Sequence, residues 1–300
     1  EAYRRIRNTI RFLLANLHDF DPADAVPTSD MLSLDIWILE RAKLLQHEII
    51  DAYENFQFHT IYQKLQQFCI SDLGGFYLDI IKDRQYTLQK DSVARRSAQT
   101  ALFYIVEAMV RWLAPILSFT AEEIWHYLPG KREDSVFLNE WYSLSFSFAE
   151  DPLQTIYQQT DRQTYWNKLI QVRNEVNKVI EKSRISGELG SSLEAEVELY
   201  VKEDSQLYKI LSALKDELRF VLITSDVKLL ISKPLKQVLL FTINAEELGI
   251  NVISTVGKKT KCARCWHRRS DVGKAPEYPE ICLRCVENLP EGKGEQRSYA

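Results

Sequence analysis

Glycine is scarce in this chain, at 10 residues of 300. That argues against Gly-rich phosphate-binding loops and favours long helices, because glycine frees a backbone for positive φ and weakens a helix interior. No stretch approaches the roughly 18 consecutive apolar residues that a membrane-crossing helix needs. Cations are not in excess either. Lys and Arg number 38 against 42 Asp and Glu, a formal net charge of −4. A generically basic nucleic-acid binder is excluded, and any RNA contact must come from local patches. Catalytic signatures are missing as well: there is no GxSxG, P-loop, GxGxxG or HExxH pattern. His18, His47, His59, His126 and His267 stand apart from any nucleophile motif. The first residue is Glu1, inside an amphipathic pattern, with no initiator Met and no apolar signal core. The chain therefore reads as a piece of a longer one.

What is present is the composition of a soluble domain with a real core: 45% hydrophobic and 27% charged residues. The length allows about two to three domains. Tyr3, Ile6, Ile10, Leu13, Leu14 and Leu17 recur at helical spacing and predict a helix over 1–18. Further helices are expected over 31–53, 58–81, 92–113 and 120–128. Gly74-Gly75 is a weak point in the third, and Thr120 and Glu123 form a capping-box pattern at the start of the last. Long helices with short connections predict an antiparallel bundle. An irregular aromatic stretch follows over 129–150, with Phe137, Trp141, Tyr142, Phe146 and Phe148. Another helix is expected over 161–183. The pattern then changes, with a strand at 195–201, a helix at 207–220 and short β-rich runs at 221–223, 227–231 and 238–243. The fold class expected is mainly α: a helical bundle, a small α/β unit and a C-terminal metal knob. The domain boundaries expected are 1–150, 151–256 and 257–300.

The knob carries the sharpest motif. Cys262-Ala263-Arg264-Cys265 is followed, sixteen residues on, by Cys282-Leu283-Arg284-Cys285. Each CxxC aims two thiolates at one point, and the second pair across a loop closes a tetrahedron. The spacing lies within the roughly 15–20-residue window of four-cysteine zinc sites. Four protein ligands leave no open coordination position, so the zinc is expected to be structural. An iron site or a pair of redox dithiols are the alternatives, but nothing nearby resembles a thioredoxin βαβ context. Residues 257–300 are poor in large apolar side chains and need such a staple. Cys69 lies on an apolar helix face and reads as a buried thiol.

Around the cysteines runs a basic stretch: Lys258, Lys259, Lys261, Arg264, Arg268 and Arg269, with Trp266 and His267 interleaved and no acid among them. Cations neutralise phosphate and planar rings stack on unpaired bases, so this composition fits single-stranded RNA. The alternative is a solvated charge run with Trp266 buried as part of a miniature core. Basic clusters at 4–11 and 82–96 read as solvated helix faces.

Several segments resemble a known family. Residues Ala2 to Thr9 and Phe12 to Leu17 look like the helix that follows the catalytic domain of bacterial isoleucyl-tRNA synthetases. Residues Phe76 to Tyr86 and Leu113 to Trp125 are similar to the helical anticodon domain of the same enzymes. Val172 to Lys178, with Ser192 to Ala195, resembles the segment after that bundle. The two CxxC pairs resemble its C-terminal zinc knob, a finger that formamidopyrimidine-type DNA glycosylases share without the bundle.

The resemblance implies a part of a ligase that activates isoleucine with ATP and joins it to its tRNA. It implies a bundle that recognises the anticodon stem and loop, and a knob that helps hold the anticodon. By position, Arg264 and Trp266 match residues that the family places against anticodon nucleotides. Lys261, His267, Arg268 and Arg269 are the neighbouring RNA-contact candidates. No catalytic residue is expected here, because the HIGH-like and KMSKS-like motifs and the editing insertion are absent. ATP would belong to a catalytic domain upstream in the same protein, expected to be a cytoplasmic monomer with no membrane contact. A zinc-stapled helical adaptor that binds protein, and not tRNA, is the competing function.

Overall fold

In the computed structural model, residues 1–146, 151, 153, 161–203, 205–231, 242–245 and 250–300 are described. They fall into two compact units, Glu1–Gln85 with Lys90–Pro152, and Tyr86–Gln89 with Leu153–Ala300.

The first unit is helical: α1 (Ala2–Ala15), α2 (Ser33–Glu54), α3 (Phe58–Gln67), α4 (Leu78–Thr87), α5 (Val93–Leu113) and α6 (Ser118–Tyr127). The apolar stripe of α1 turns Ile6, Ile10 and Leu13 inward, as its spacing predicts. Trp37, Trp112 and Trp125 are all buried. Trp37 meets Phe76 edge-on at 5.2 Å, and Trp112 meets Phe68 at 6.3 Å. The indole N–H of Trp112 donates to Gln46 Oε1 at 2.9 Å, so its polar handle is satisfied inside the core.

A charged hub also lies in this core. Asp35 is wholly buried and accepts two bonds from Arg84, each 2.7 Å, one from the Tyr77 hydroxyl at 2.7 Å and one from Ser97. Arg84 is equally buried. Burial chiefly, with the Asp35 charge beside it, holds the Tyr77 phenol well above its ordinary pKa.

Two local expectations are corrected here. The expected helix over 58–81 runs on to Thr87, but between α3 and α4 it widens into a π-helical segment, Phe68–Tyr77. A β-carbon on Gly74 would meet the Cys69 carbonyl oxygen at 2.9 Å, and one on Gly75 the Ile70 oxygen at 3.0 Å. Wide turns bring the carbonyl five residues back against Cα, so this glycine pair accommodates the bulge. The second correction concerns α6. It begins at Ser118 and has no side-chain cap. The Thr120 hydroxyl instead meets Tyr3 Oη at 3.1 Å, and Glu123 takes both Arg7 guanidinium nitrogens at 2.6 and 2.7 Å. Long-range partners outcompeted the capping box.

The second unit begins with α7 (Arg162–Ile185), capped by the Asp161 carboxylate on the Thr164 amide. Strands β1 (Ala195–Val201), β2 (Asp226–Ile231), β3 (Thr242–Ala245) and β4 (Ile250–Val256) form one sheet in the order β2-β1-β4-β3. β1 runs parallel to β2 and antiparallel to β4. Ala195, Val197, Leu199 and Val201 of β1 are buried, which is the alternation its sequence predicts.

The parallel pair needs a crossover, and α8 (Gln206–Ala213) with α9 (Leu218–Leu222) supplies it. The expected single helix over 207–220 is thus broken, with Lys215 at φ +50°. The β-rich run expected at 221–223 is helix end: Val221 and Leu222 close α9 and Ile223 turns it at φ +55°. Burial of Val221 and Leu222 against the sheet overrode their β-propensity. Of the run expected at 238–243, only 242 and 243 lie among the described residues, as the start of β3; Phe148 of the aromatic stretch also lies outside them.

Candidate functional site

β4 leads into Gly257, whose amide donates to the Glu194 carbonyl at 2.9 Å. A two-residue ladder follows: β5 (Thr260–Lys261) pairs antiparallel with β6 (Arg268–Arg269). The turn between them carries the first CxxC. The Cys262 amide donates to the His267 carbonyl at 2.9 Å, and the Trp266 amide donates back to the Cys262 carbonyl at 3.0 Å. These bonds fold the knuckle so that both thiols face inward. The second pair is presented by a short helix, α10 (Leu283–Glu287), with Cys282 at its N-cap and Cys285 on its first turn. The Cys282 amide also donates to Cys262 Sγ at 3.3 Å.

All four sulfurs are buried and lie within 4.8 Å of one another. Cys262 Sγ is 3.7 Å from Cys285 Sγ, and Cys265 Sγ is 3.8 Å from Cys282 Sγ. A disulfide would require about 2.05 Å. A tetrahedron with metal–sulfur bonds of about 2.3 Å has edges of about 3.8 Å. The donor set therefore fits one zinc ion. Four thiolates this close need a cation between them. Cys69 is different in kind. It is buried in the first unit, and desolvation pushes its thiol up to about 12.

The surface around the metal site differs from its sequence. Trp266 is 58% exposed and stands at φ +65°. A left-handed conformation costs a non-glycine residue about 1–2 kcal/mol, and an exposed indole gives up its burial too. Both costs fall on one residue beside the ligands. The Lys261 ammonium sits 5.9 Å from its ring centre. The buried miniature-core arrangement is not what the chain adopts.

The basic run is largely engaged. Lys261 donates to Glu194 at 2.9 Å, and Arg268 reaches the other Glu194 oxygen at 3.3 Å. These contacts, Lys261 first, hold the Glu194 carboxyl below its usual range. Lys259 pairs with Glu196 at 3.0 Å and Asp226 at 3.2 Å. Arg269 lies 3.7 Å from Asp271. Arg264 points into the knob and donates to the Cys285 and Asn288 carbonyls at 2.8 and 3.3 Å, where a cation complements the end of α10. His267 is 1% exposed and packs on Phe220 at 5.9 Å, so it presents no surface to a ligand. Lys258 is exposed. Glu194 and Asp226, separated from these cations by 33 to 74 residues, had no sequence signal for this role.

Comparison with known proteins agrees with this arrangement. Residues 35–199 match the anticodon-binding domain of tRNA ligase, and residues 260–288 match a zinc finger found in FPG and IleRS. Isoleucine–tRNA ligases from Marinomonas sp. and Methylococcus capsulatus are 52% and 51% identical to the chain over its whole length. One from a Shewanella species is 52% identical, again over the whole chain. The chain spans 31% of the length of each of these relatives. With the profile covering more than half of its residues, and a four-sulfur zinc site where the finger matches, the chain belongs to the anticodon-binding domain family of tRNA ligases.

Proposed function

We propose that the chain is the tRNA-recognition part of an isoleucine–tRNA ligase, a protein that attaches isoleucine to its tRNA with ATP in a catalytic region outside these residues. The division of labour proposed is a bundle over 1–150 for the anticodon stem, a junction over 151–256, and a zinc knob over 257–300 that holds the anticodon loop. The protein would act as a cytoplasmic monomer. Among the described residues no helix is long and apolar enough to cross a membrane.

The observation that carries this reading is Trp266, an exposed indole in a strained conformation beside a metal site that fixes its backbone. A planar ring held rigidly in solvent is a stacking platform for an unpaired base. Lys261 lies beside the ring, Arg264 ties the same knuckle to the Cys285 and Asn288 carbonyls, and Arg268 and Arg269 follow on β6. The competing adaptor reading has one observation in its favour. Glu194, Glu196, Asp226 and Asp271 neutralise much of the basic run, which weakens its pull on phosphate.

The two readings separate on Trp266→Ala. The ring lies outside the sulfur core, so the variant is expected to keep its zinc. Its affinity for isoleucine tRNA should fall by about 1–3 kcal/mol, with little change in salt dependence. Filter binding and zinc analysis on the same preparation check this. Full zinc with unchanged affinity would remove the stacking role and favour the adaptor.

A further inference from the structure

Arg219 lies in α9, within the small α/β part of the second unit. Its neighbours on the second unit make it unusual. The Phe220 ring is surrounded by three guanidinium groups: Arg219 at 4.3 Å, Arg284 at 4.9 Å and Arg297 at 3.5 Å. Arg284 and Arg297 share the Glu295 carboxylate, at 2.7 and 3.4 Å. Among the described residues no acceptor meets the buried Nη1 of Arg219. Burial first, then the like charges of Arg269 and Arg284, lowers its pKa to about 10, with the Glu295 carboxylate only partly opposing them. A half-buried cation among cations is costly unless an anion joins it.

Arg219 also lines a cavity of about 180 Å³, together with Lys215, Asp216, Asp226, Val227 and Arg269. That is several times the roughly 30 Å³ one water occupies, enough for a phosphate group. Of the two carboxylates in the wall, Asp226 is already held by Lys259 and by the Val227 amide. Lys215 is brought to the rim by a left-handed backbone. Arg269 belongs to β6, three residues along from Trp266 and so at most about 10 Å away by strand rise. Arg269 is thus the lining residue that ties the cavity to the knuckle carrying the indole.

We propose that this cavity is a phosphodiester site, in which Arg219, with Arg269 and Lys215, holds a backbone phosphate next to the base on Trp266; this rests on reading the knob as an RNA-contacting element. Forked guanidinium donors match phosphate oxygens two at a time, which a lysine patch does not. The α/β unit then has a function of its own. Arg219 and Lys215 contribute positive charge from outside the basic run, beside Arg269, which also lies 3.7 Å from Asp271.

The test uses the full chain, isoleucine tRNA, and Arg219→Met, which keeps the apolar stem against Phe220 and removes the charge. The RNA-free variant is expected to melt no lower than the parent, because a repelled cation is gone. Its tRNA affinity should fall about tenfold, and the slope of log affinity against log salt should fall by about 1. A purely structural arginine would instead lose stability and binding together. If Trp266→Ala weakens binding while Arg219→Met leaves affinity and slope unchanged, the phosphate site is overturned and the stacking role stands. If neither variant changes binding, both fall. Should Arg219→Met melt early, the exposed Lys215→Met carries the same slope test, and an unchanged slope overturns the proposal. Inorganic phosphate at matched ionic strength tests the source. Saturable thermal stabilisation abolished by Arg219→Met, with RNA affinity unchanged, would make it a free-phosphate site and contradict the RNA assignment.

Discussion

Stripping the zinc should unfold residues 258–290 and leave the helical bundle folded. The expectation follows from what the knob is made of. Its buried apolar core is the four cysteines themselves, and among the described residues Val272 and Ile281 pack against them as partly buried apolar side chains. At about 25 cal/mol per Å², two half-buried side chains cannot order some thirty residues. Structural zinc, by contrast, contributes about 10–16 kcal/mol of apparent folding energy in small fingers at neutral pH. Chelation followed by hydrogen exchange checks it. Protection should vanish over 258–290 and persist in α2 and α5. One zinc per chain is expected by elemental analysis, and replacing Cys262 with Ser should reproduce the chelated state. Unchanged protection after complete metal removal would show that the knob holds itself together.

The second large effect belongs to the first unit. Asp35→Ala is expected to destabilise it by about 3–5 kcal/mol, the cost of breaking a buried ion pair by removing one partner. Arg84 would be left fully buried without its carboxylate, and Tyr77 and Ser97 would lose their acceptor. The ordering matters more than the size. Asp35→Ala should cost more than Arg7→Ala, although Arg7 also makes a bidentate pair, because that pair is exposed. Denaturant unfolding followed by helical circular dichroism checks both variants. Equal, small effects would mean that water reaches the hub.

The zinc ligands were legible because two short turns place each thiol pair, and the spacing between the pairs is local. β1 was legible because a half-buried strand writes its faces into alternate residues. Asp35 was not, since an acid within the Leu34–Leu39 stripe gains meaning only when Arg84 arrives from another helix. The π-helical segment was half visible: the glycine pair signalled a weakness, but only the carbonyls of Cys69 and Ile70 explain why both positions need it. Thr120 and Glu123 had the residues of a capping box and spent them on Tyr3 and Arg7. The basic run was legible as composition and misleading as charge, because Glu194, Glu196 and Asp226 come from distant positions.

The proposed role requires the chain to hold the anticodon arm of an isoleucine tRNA, with the knob on the loop. Its most direct test is the affinity of the zinc-loaded chain for that tRNA, intact and with the anticodon arm deleted, at matched salt. The account predicts a loss of about tenfold or more on deletion, at least the worth of one stacked base. It also predicts that chelating the zinc removes most of this difference. Equal affinity for the two RNAs, with zinc in place, would contradict it.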